Sequence, residues 1–131
     1  MPSSTTSAYL RVLTQAERKT GLVGAWLTAH RFQGLDLSDC LLEKTCCDDA
    51  TFERVNLQRT SFRGAFLRRA RFVGCDLTGA VFPAALVAGA EFVACHGLAA
   101  ETIRLLRERG ATVQPASAAS LQIGSPSRGS R

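Results

Sequence analysis

The residues best suited to chemistry are five cysteines and two histidines. Thiolates and imidazoles bind zinc, or act as nucleophile and base, when the fold brings them together. They are Cys40, Cys46, Cys47, Cys75, Cys95, His30 and His96. They form no CxxC pair, and no glycine-rich phosphate-binding motif accompanies them. The sequence therefore predicts a protein that is not an enzyme, with no catalytic residues, no metal site and no cofactor.

The composition is that of one folded domain. The chain has 131 residues, of which 46% are hydrophobic and 21% charged, which is enough apolar material for a core. Its longest apolar stretch, Ala80 to Ala90, is interrupted by Pro83 and Gly89 and has about half the length of a membrane span. Met1 to Lys19 contains no apolar run of secretory length. We therefore expect a cytoplasmic protein that makes no membrane contact.

Apolar side chains recur at every fifth residue from Leu22 to Phe92. Two residues before each of them comes a second, mostly small side chain, such as Ala65 or Ala70. A period of five fits neither a helix nor a strand, so the backbone must turn a corner every five residues. Like residues also recur at a spacing of twenty, as in Phe32, Phe52, Phe72 and Phe92. Four five-residue sides therefore make one turn of a coil, and successive turns stack about 4.8 Å apart.

Two units show the repeat clearly: Cys75-Asp76-Leu77-Thr78-Gly79 and Ala65-Phe66-Leu67-Arg68-Arg69. They resemble the pentapeptide-repeat proteins, and the resemblance extends from Thr20 to Ala94. It implies an all-β solenoid, a right-handed quadrilateral β-helix of about four coils. The resemblance predicts the fold but identifies few functional residues, because a fold of this kind does not specify a function.

The repeat divides the chain into four segments. Residues 1–19 contain a short predicted helix from about Ser7 to Lys19, and residues 20–97 form the β-helix. Residues 98–114 contain a capping helix, from Ala99 to Arg109, and a short extension. Residues 115–131 are rich in Ser, Ala, Gly and Pro, which is typical of a flexible tail. Both predicted helices would cover the open ends of the solenoid.

The charged residues follow the twenty-residue spacing. The formal net charge of +5 suggests an acidic partner, but residues 20–98 hold eight basic and eight acidic groups. Opposite charges in neighbouring coils would stack in register and so help to align the coils. The predicted pairs are Asp39–Arg59, Glu43–Arg63, Asp48–Arg68 and Asp49–Arg69. This pattern argues against nucleic acid as a partner.

One outward column is apolar, although outward positions of a solenoid are normally solvated. It reads Trp26, Cys46, Phe66, Leu86, and Leu41 and Val81 flank it on the neighbouring face. Large apolar groups in a vertical file indicate that something covers them. Either a protein partner does so, or the N-terminal helix folds back and places Leu10 and Leu13 over Phe66.

The sequence thus predicts a non-enzymatic protein–protein interaction or scaffold module that docks through its apolar face. A homodimer is the simplest partner, and a larger host assembly is the next. The resemblance implies a different function as an alternative, because some members modulate DNA gyrase and related topoisomerases as acidic DNA mimics. A second alternative is a nucleic-acid binder that uses Arg63, Arg68, Arg69 and the basic tail.

Overall fold

The computed structural model describes residues 22–115 of the protein. Four short strands follow one another at intervals of twenty residues: β1 (Arg31–Gln33), β2 (Thr51–Glu53), β3 (Arg71–Val73) and β4 (Glu91–Cys95). Helix α1 (Ala100–Glu108) and strand β5 (Thr112–Pro115) complete the described chain. Neighbouring strands pair in parallel, in the order β1-β2-β3-β4-β5. The predicted N-terminal helix and the tail lie outside the described residues. Within residues 22–115, no helix has the length and apolarity needed to cross a bilayer.

The strands are one side of a coil whose period is twenty residues. Phe32 pairs with Phe52, and Phe52 with Phe72. Isolated parallel bridges repeat the same spacing on the other sides, for example between Asp36 and Asn56. We number the sides by their central buried residues. Face 1 has Phe32, Phe52, Phe72 and Phe92; face 2 has Leu37, Leu57 and Leu77; face 3 has Leu22, Leu42, Phe62 and Phe82; face 4 has Leu27, Cys47, Leu67 and Val87.

The core consists of stacked rings and aliphatic side chains. On face 1 the ring centroids of Phe32, Phe52, Phe72 and Phe92 are 4.7, 4.8 and 4.5 Å apart in successive coils. A second stack joins Phe62 to Phe82 at 5.2 Å and meets the first edge to face. Both arrangements are favoured by the aromatic quadrupole. Phe52 and Phe72 are buried while Arg63 is exposed, which agrees with the inward and outward positions predicted from the repeat.

The C-terminal elements join the same core. Leu106 of α1 is 2% exposed, and Val113 of β5 pairs with Phe92 of β4. The sequence predicted a helix followed by an extension here. The extension is the fifth strand of the sheet, because Thr112 donates its backbone N–H to the carbonyl of Ala90 at 2.8 Å. A single apolar residue in a four-residue strand, Val113, is too weak a pattern to predict pairing from sequence.

Many corners of the coil are tight turns with a left-handed residue. At one corner Cys40 donates its N–H to the carbonyl of Leu37 at 3.3 Å, and Asp39 between them has φ +60°. This is the geometry of a type II turn, whose third position favours glycine. Several bulky residues nevertheless occupy such positions, including Lys44, Arg59 and Arg69. The stacked coils impose this backbone on residues that would avoid it elsewhere.

The corner strain predicts opposite effects for two alanines on neighbouring corners. Ala84 has φ +60°, so Ala84→Gly should stabilise the fold by about 0.5 kcal/mol, because relief of the left-handed conformation exceeds the entropy cost of glycine. Ala88 is not left-handed; the left-handed residue of its corner is the next one, Gly89. Ala88→Gly therefore relieves no strain and should destabilise the fold by about 0.5–1 kcal/mol through the entropy cost of glycine. Urea unfolding of the two variants measures both effects. Destabilisation by both substitutions would contradict the argument.

Candidate functional site

An apolar column runs along face 4. We call Trp26, Cys46, Phe66 and Leu86 the apolar strip. Parallel bridges join each member to the next, so the four side chains stand above one another. Trp26 is 76% exposed, Phe66 37% and Leu86 45%, while Cys46 is half-buried. The column is outward because each member directly precedes an inward centre, such as Leu67 after Phe66.

The predicted flanks of the strip belong to a separate column on face 3. Leu41 and Val81 bridge to Ser61, which lies between them and interrupts the column with a hydroxyl. Leu41 is half-buried, whereas Val81 is 48% exposed. Ser61 therefore separates Leu41 from Val81 within this column. Val81 also borders a pocket under α1.

That pocket has a volume of about 310 Å³ and lies between face 3 and helix α1. It is mostly apolar, and Arg109 lies at its edge with its Nη1 3.4 Å from the carbonyl of Phe82. Its lining residues are Val81, Phe82, Pro83, Thr102, Leu105, Leu106 and Arg109. The sequence analysis missed this pocket, because only the packing of α1 on face 3 creates it.

Three of the four predicted ion pairs are brought together by the stacking of coils. Arg59 Nε lies 2.7 Å from Asp39 Oδ1, and Arg69 Nε lies 2.9 Å from Asp49 Oδ1. In both pairs Nη2 also donates to the second carboxylate oxygen, so the contact is bidentate. Arg68 donates to Asp48 through Nη2 at 2.7 Å and also through its backbone N–H at 2.9 Å.

The fourth predicted pair, Glu43–Arg63, differs in the structure. Glu43 Oε2 accepts a hydrogen bond from Ser61 Oγ at 2.9 Å, and no ion pair joins it to Arg63 within residues 22–115. The bridged strand of face 3 brings the Ser61 hydroxyl close to Glu43, which the charge pattern alone did not reveal. Two further ion pairs between neighbouring coils were not predicted. Arg71 bonds Glu91 at 3.0 Å, and Arg31 bonds Glu53 at 3.3 Å.

The arginine of one pair also touches the strip. The guanidinium carbon of Arg68 lies 5.8 Å from the centroid of the Phe66 ring, within the range of a cation–π contact. Asp48, Arg68 and Phe66 thus form a connected group at the edge of the apolar strip. The hydrogen bond from the Arg68 side chain holds the pKa of Asp48 below its ordinary value, so the carboxylate is charged at neutral pH.

Four of the five thiols are buried in the core. Burial raises the pKa of Cys47 to about 11, and a hydrogen bond with Cys95, together with burial, raises the pKa of Cys75. A thiol with a raised pKa is a poor nucleophile and a poor metal ligand. No disulfide joins any two of the five cysteines, and residues 22–115 contain no group of three or more His, Cys, Asp or Glu side chains arranged to hold a metal ion.

Comparison with known proteins points to one family. The sequence model of a family described as Pentapeptide repeats matches residues 45–82 in eight copies. No curated protein matches the chain. Among solved structures, the chain is similar to HetL, a pentapeptide repeat protein involved in heterocyst differentiation regulation from the cyanobacterium Nostoc sp. strain PCC 7120. The identity is 21% and the TM-score 0.56, over 61% of this chain and 34% of HetL. At this identity the likeness shows the fold alone, and the chain spans about a third of the length of HetL.

Two other solved structures are also similar to this chain. One is a pentapeptide repeat protein from the Arabidopsis thaliana thylakoid lumen, with 20% identity, a TM-score of 0.41, and coverage of 78% of this chain and 85% of that one. The other is QnrB1, a plasmid-mediated fluoroquinolone resistance protein, with 19% identity, a TM-score of 0.30, and coverage of 56% and 48%. At these TM-scores neither structure informs the function of this chain.

The contacts of Asp48 predict that two charge swaps will differ. Reversing one charge, in Asp49→Arg or Asp48→Arg, should lower the melting temperature by a few degrees, since like charges then stack. Adding Arg69→Asp to the first should restore most of the loss. Adding Arg68→Asp to the second should restore less, because an arginine at 48 cannot accept the backbone N–H of residue 68. Differential scanning calorimetry of the four variants measures this, and equal recovery in both swaps would contradict it.

Asp48 also predicts a pH dependence of stability. Its folded pKa is lowered from an ordinary value of 3.8, so its contribution is present above that value and is lost as the pH falls through the folded pKa. Asp48→Asn should therefore lower the melting temperature at neutral pH. The difference from wild type should shrink in acid, where both chains carry a neutral side chain at residue 48. A difference that does not change with pH would show that the charge contributes nothing.

Proposed function

We propose that this chain, which is a pentapeptide-repeat protein, is a non-enzymatic interaction module that docks on a protein partner through the apolar strip. One observation carries the proposal: Trp26, Phe66 and Leu86 are outward in a single column and substantially exposed. Exposed apolar groups in a file are costly in water unless a partner covers them. Tryptophan is also among the residues that most often dominate the binding energy of interfaces.

The proposed mechanism is rigid presentation of side chains. We take the rod to be a right-handed quadrilateral β-helix of about four coils, with α1 as its C-terminal cap. Hydrogen bonds between coils hold successive strip residues about 4.8 Å apart, so little conformational entropy is lost when a partner binds. The module needs no cofactor and no metal for this role. We place it in the cytoplasm on sequence composition alone.

The paired charges favour this function over the two alternatives. A DNA mimic needs long faces of free carboxylates, but Asp39, Asp48 and Asp49 each contact an arginine. The same contacts occupy Arg68 and Arg69, two of the three arginines that the nucleic-acid alternative would use for phosphates; the third, Arg63, is in no ion pair within residues 22–115. An apolar strip beside neutralised charges fits a protein surface better than either nucleic acid or the acidic face of a DNA mimic.

Site-specific photocrosslinking in the native host tests the docking surface. A benzophenone amino acid at position 66 should give discrete protein adducts, and the additional substitution Trp26→Ser should abolish them. The same amino acid at position 51, on face 1 between Arg31 and Arg71, is the matched control and should give none. A melting temperature close to that of wild type shows that the variants fold. The proposal is wrong if position 66 gives no adduct, or if both positions give the same ones.

A further inference from the structure

The apolar strip ends at Leu86 in a surface hollow. The hollow has a volume of about 560 Å³ and surrounds Leu86 on face 4. Three of its lining residues are alanines and two are arginines. The lining residues are Arg68, Ala84, Ala85, Leu86, Val87, Ala88 and Arg109. An apolar hollow whose lining includes two cations fits a flat aromatic ring, which binds by apolar contact and by cation–π attraction.

The side chain that fits this hollow lies at the other end of the strip. Trp26 is three coils away from Leu86, a distance of about 14 Å at the ordinary strand spacing. It cannot reach the hollow of its own chain. It is 76% exposed and is the single tryptophan of the sequence. A second copy placed antiparallel on face 4 would bring its own Trp26 to the level of Leu86.

The two-fold symmetry of such a dimer can be worked out from the columns. We consider a two-fold axis that lies in the interface, perpendicular to the rod and midway between Cys46 and Phe66. This axis places each column opposite the same column of the partner, with its direction reversed. Trp26 then meets the partner's Leu86, and Phe66 meets the partner's Cys46. Each large aromatic ring therefore faces a smaller side chain. In a parallel dimer Trp26 and Phe66 would face their own copies instead, and a gap would remain between the cysteines.

The neighbouring charged column has the same inverted complementarity. Asp48 and Arg68 occupy the column beside the strip, at the levels of Cys46 and Phe66. The antiparallel axis brings Asp48 opposite the partner's Arg68, and Arg68 opposite the partner's Asp48. Arg68 donates Nε and Nη2 to Asp48 of its own chain, so Nη1 is the donor that would reach the partner's carboxylate. Charge and size thus select the same orientation.

We infer that two copies of this chain associate antiparallel through face 4, with each Trp26 seated in the partner's hollow around Leu86. The inference rests on the proposed function of the strip and names its partner. Stable complexes bury about 800 Å² per partner, and we expect the short face 4 to bury less than that. The expected dissociation constant is therefore in the micromolar range or weaker.

Sedimentation equilibrium and tryptophan emission of the purified full chain test the association. Molecular mass should rise with protein concentration, and the emission of Trp26 should shift to the blue in parallel as the indole leaves water. Ala88→Arg fills the hollow with a charged side chain and should weaken association at least tenfold. Ala99→Arg places the same charge at an exposed position outside face 4 and should leave it unchanged. A mass of one chain at all concentrations, with constant emission, would overturn the inference.

Cysteine crosslinking tests the orientation. Thr28 and Ala88 share one column three coils apart, so the antiparallel axis places each opposite the other in the partner. The variant Cys46→Ser/Thr28→Cys/Ala88→Cys should form a covalent dimer with oxidised glutathione, whereas neither single cysteine should do so. A disulfide within one chain is excluded, because bridged cysteines need Cα atoms within about 7 Å. Wild-type dimers crosslinked through Cys46 alone would indicate a parallel arrangement and overturn the inference.

The two proposals fail separately. If the purified chain stays monomeric while the benzophenone at position 66 still captures a different protein, the strip is a docking surface and the antiparallel dimer is wrong. If position 66 captures only a second copy, both proposals hold. If it captures nothing in the host and the purified chain is monomeric, both are wrong.

Discussion

The register of the backbone hydrogen bonds is the constraint on which the rest of this structure depends. Leu37 donates its N–H to the carbonyl of Asn56 at 2.8 Å, and Asn56 in turn donates to Leu35 at 2.9 Å. The same pattern recurs along the coil and stacks each residue on the one twenty positions later. A slip by one residue would move inward side chains outward, so the register and the core determine each other. Every column of side chains, inside or outside, follows from this one repeat distance.

Because side chains stack in columns, each side chain must be compatible with those above and below it in the neighbouring coils. Inside, identical rings stack well, as on face 1. Outside, identical charges would repel, and the outer columns avoid this in different ways. In one column the neutral Asn56 lies between Asp36 and Asp76. At the corner positions, arginines lie above aspartates. The apolar strip is a third solution, which removes the repulsion between coils but leaves apolar surface in contact with water.

The corners link backbone strain to this pattern of charges. Asp39 and Arg59 have φ values of +60° and +58°, and in the next coil Gly79 occupies the same corner. A Cβ added to Gly79 would lie 3.1 Å from Cγ of Arg59, closer than side chains usually pack. The arginine therefore bonds to the carboxylate in the preceding coil and has glycine in the following one. Strain that would be unfavourable in an isolated turn is tolerated because coils on either side hold the backbone in place.

The sequence by itself determined the parts of this protein that depend on period. The five-residue repeat and its recurrence at twenty predicted the parallel coil, the inward Phe column and the outward apolar column, because a regular backbone converts spacing directly into position. The tertiary structure alone decided what depends on departures from that regularity. Glu43 bonds to the hydroxyl of Ser61 and not to Arg63, which the spacing of charges alone does not reveal. The pairing of β5, the pocket beside Val81 and the hollow around Leu86 arise where the repeat ends and irregular elements pack on it. Contacts of that kind depend on side-chain shape and chain direction in three dimensions, which no spacing along the sequence records.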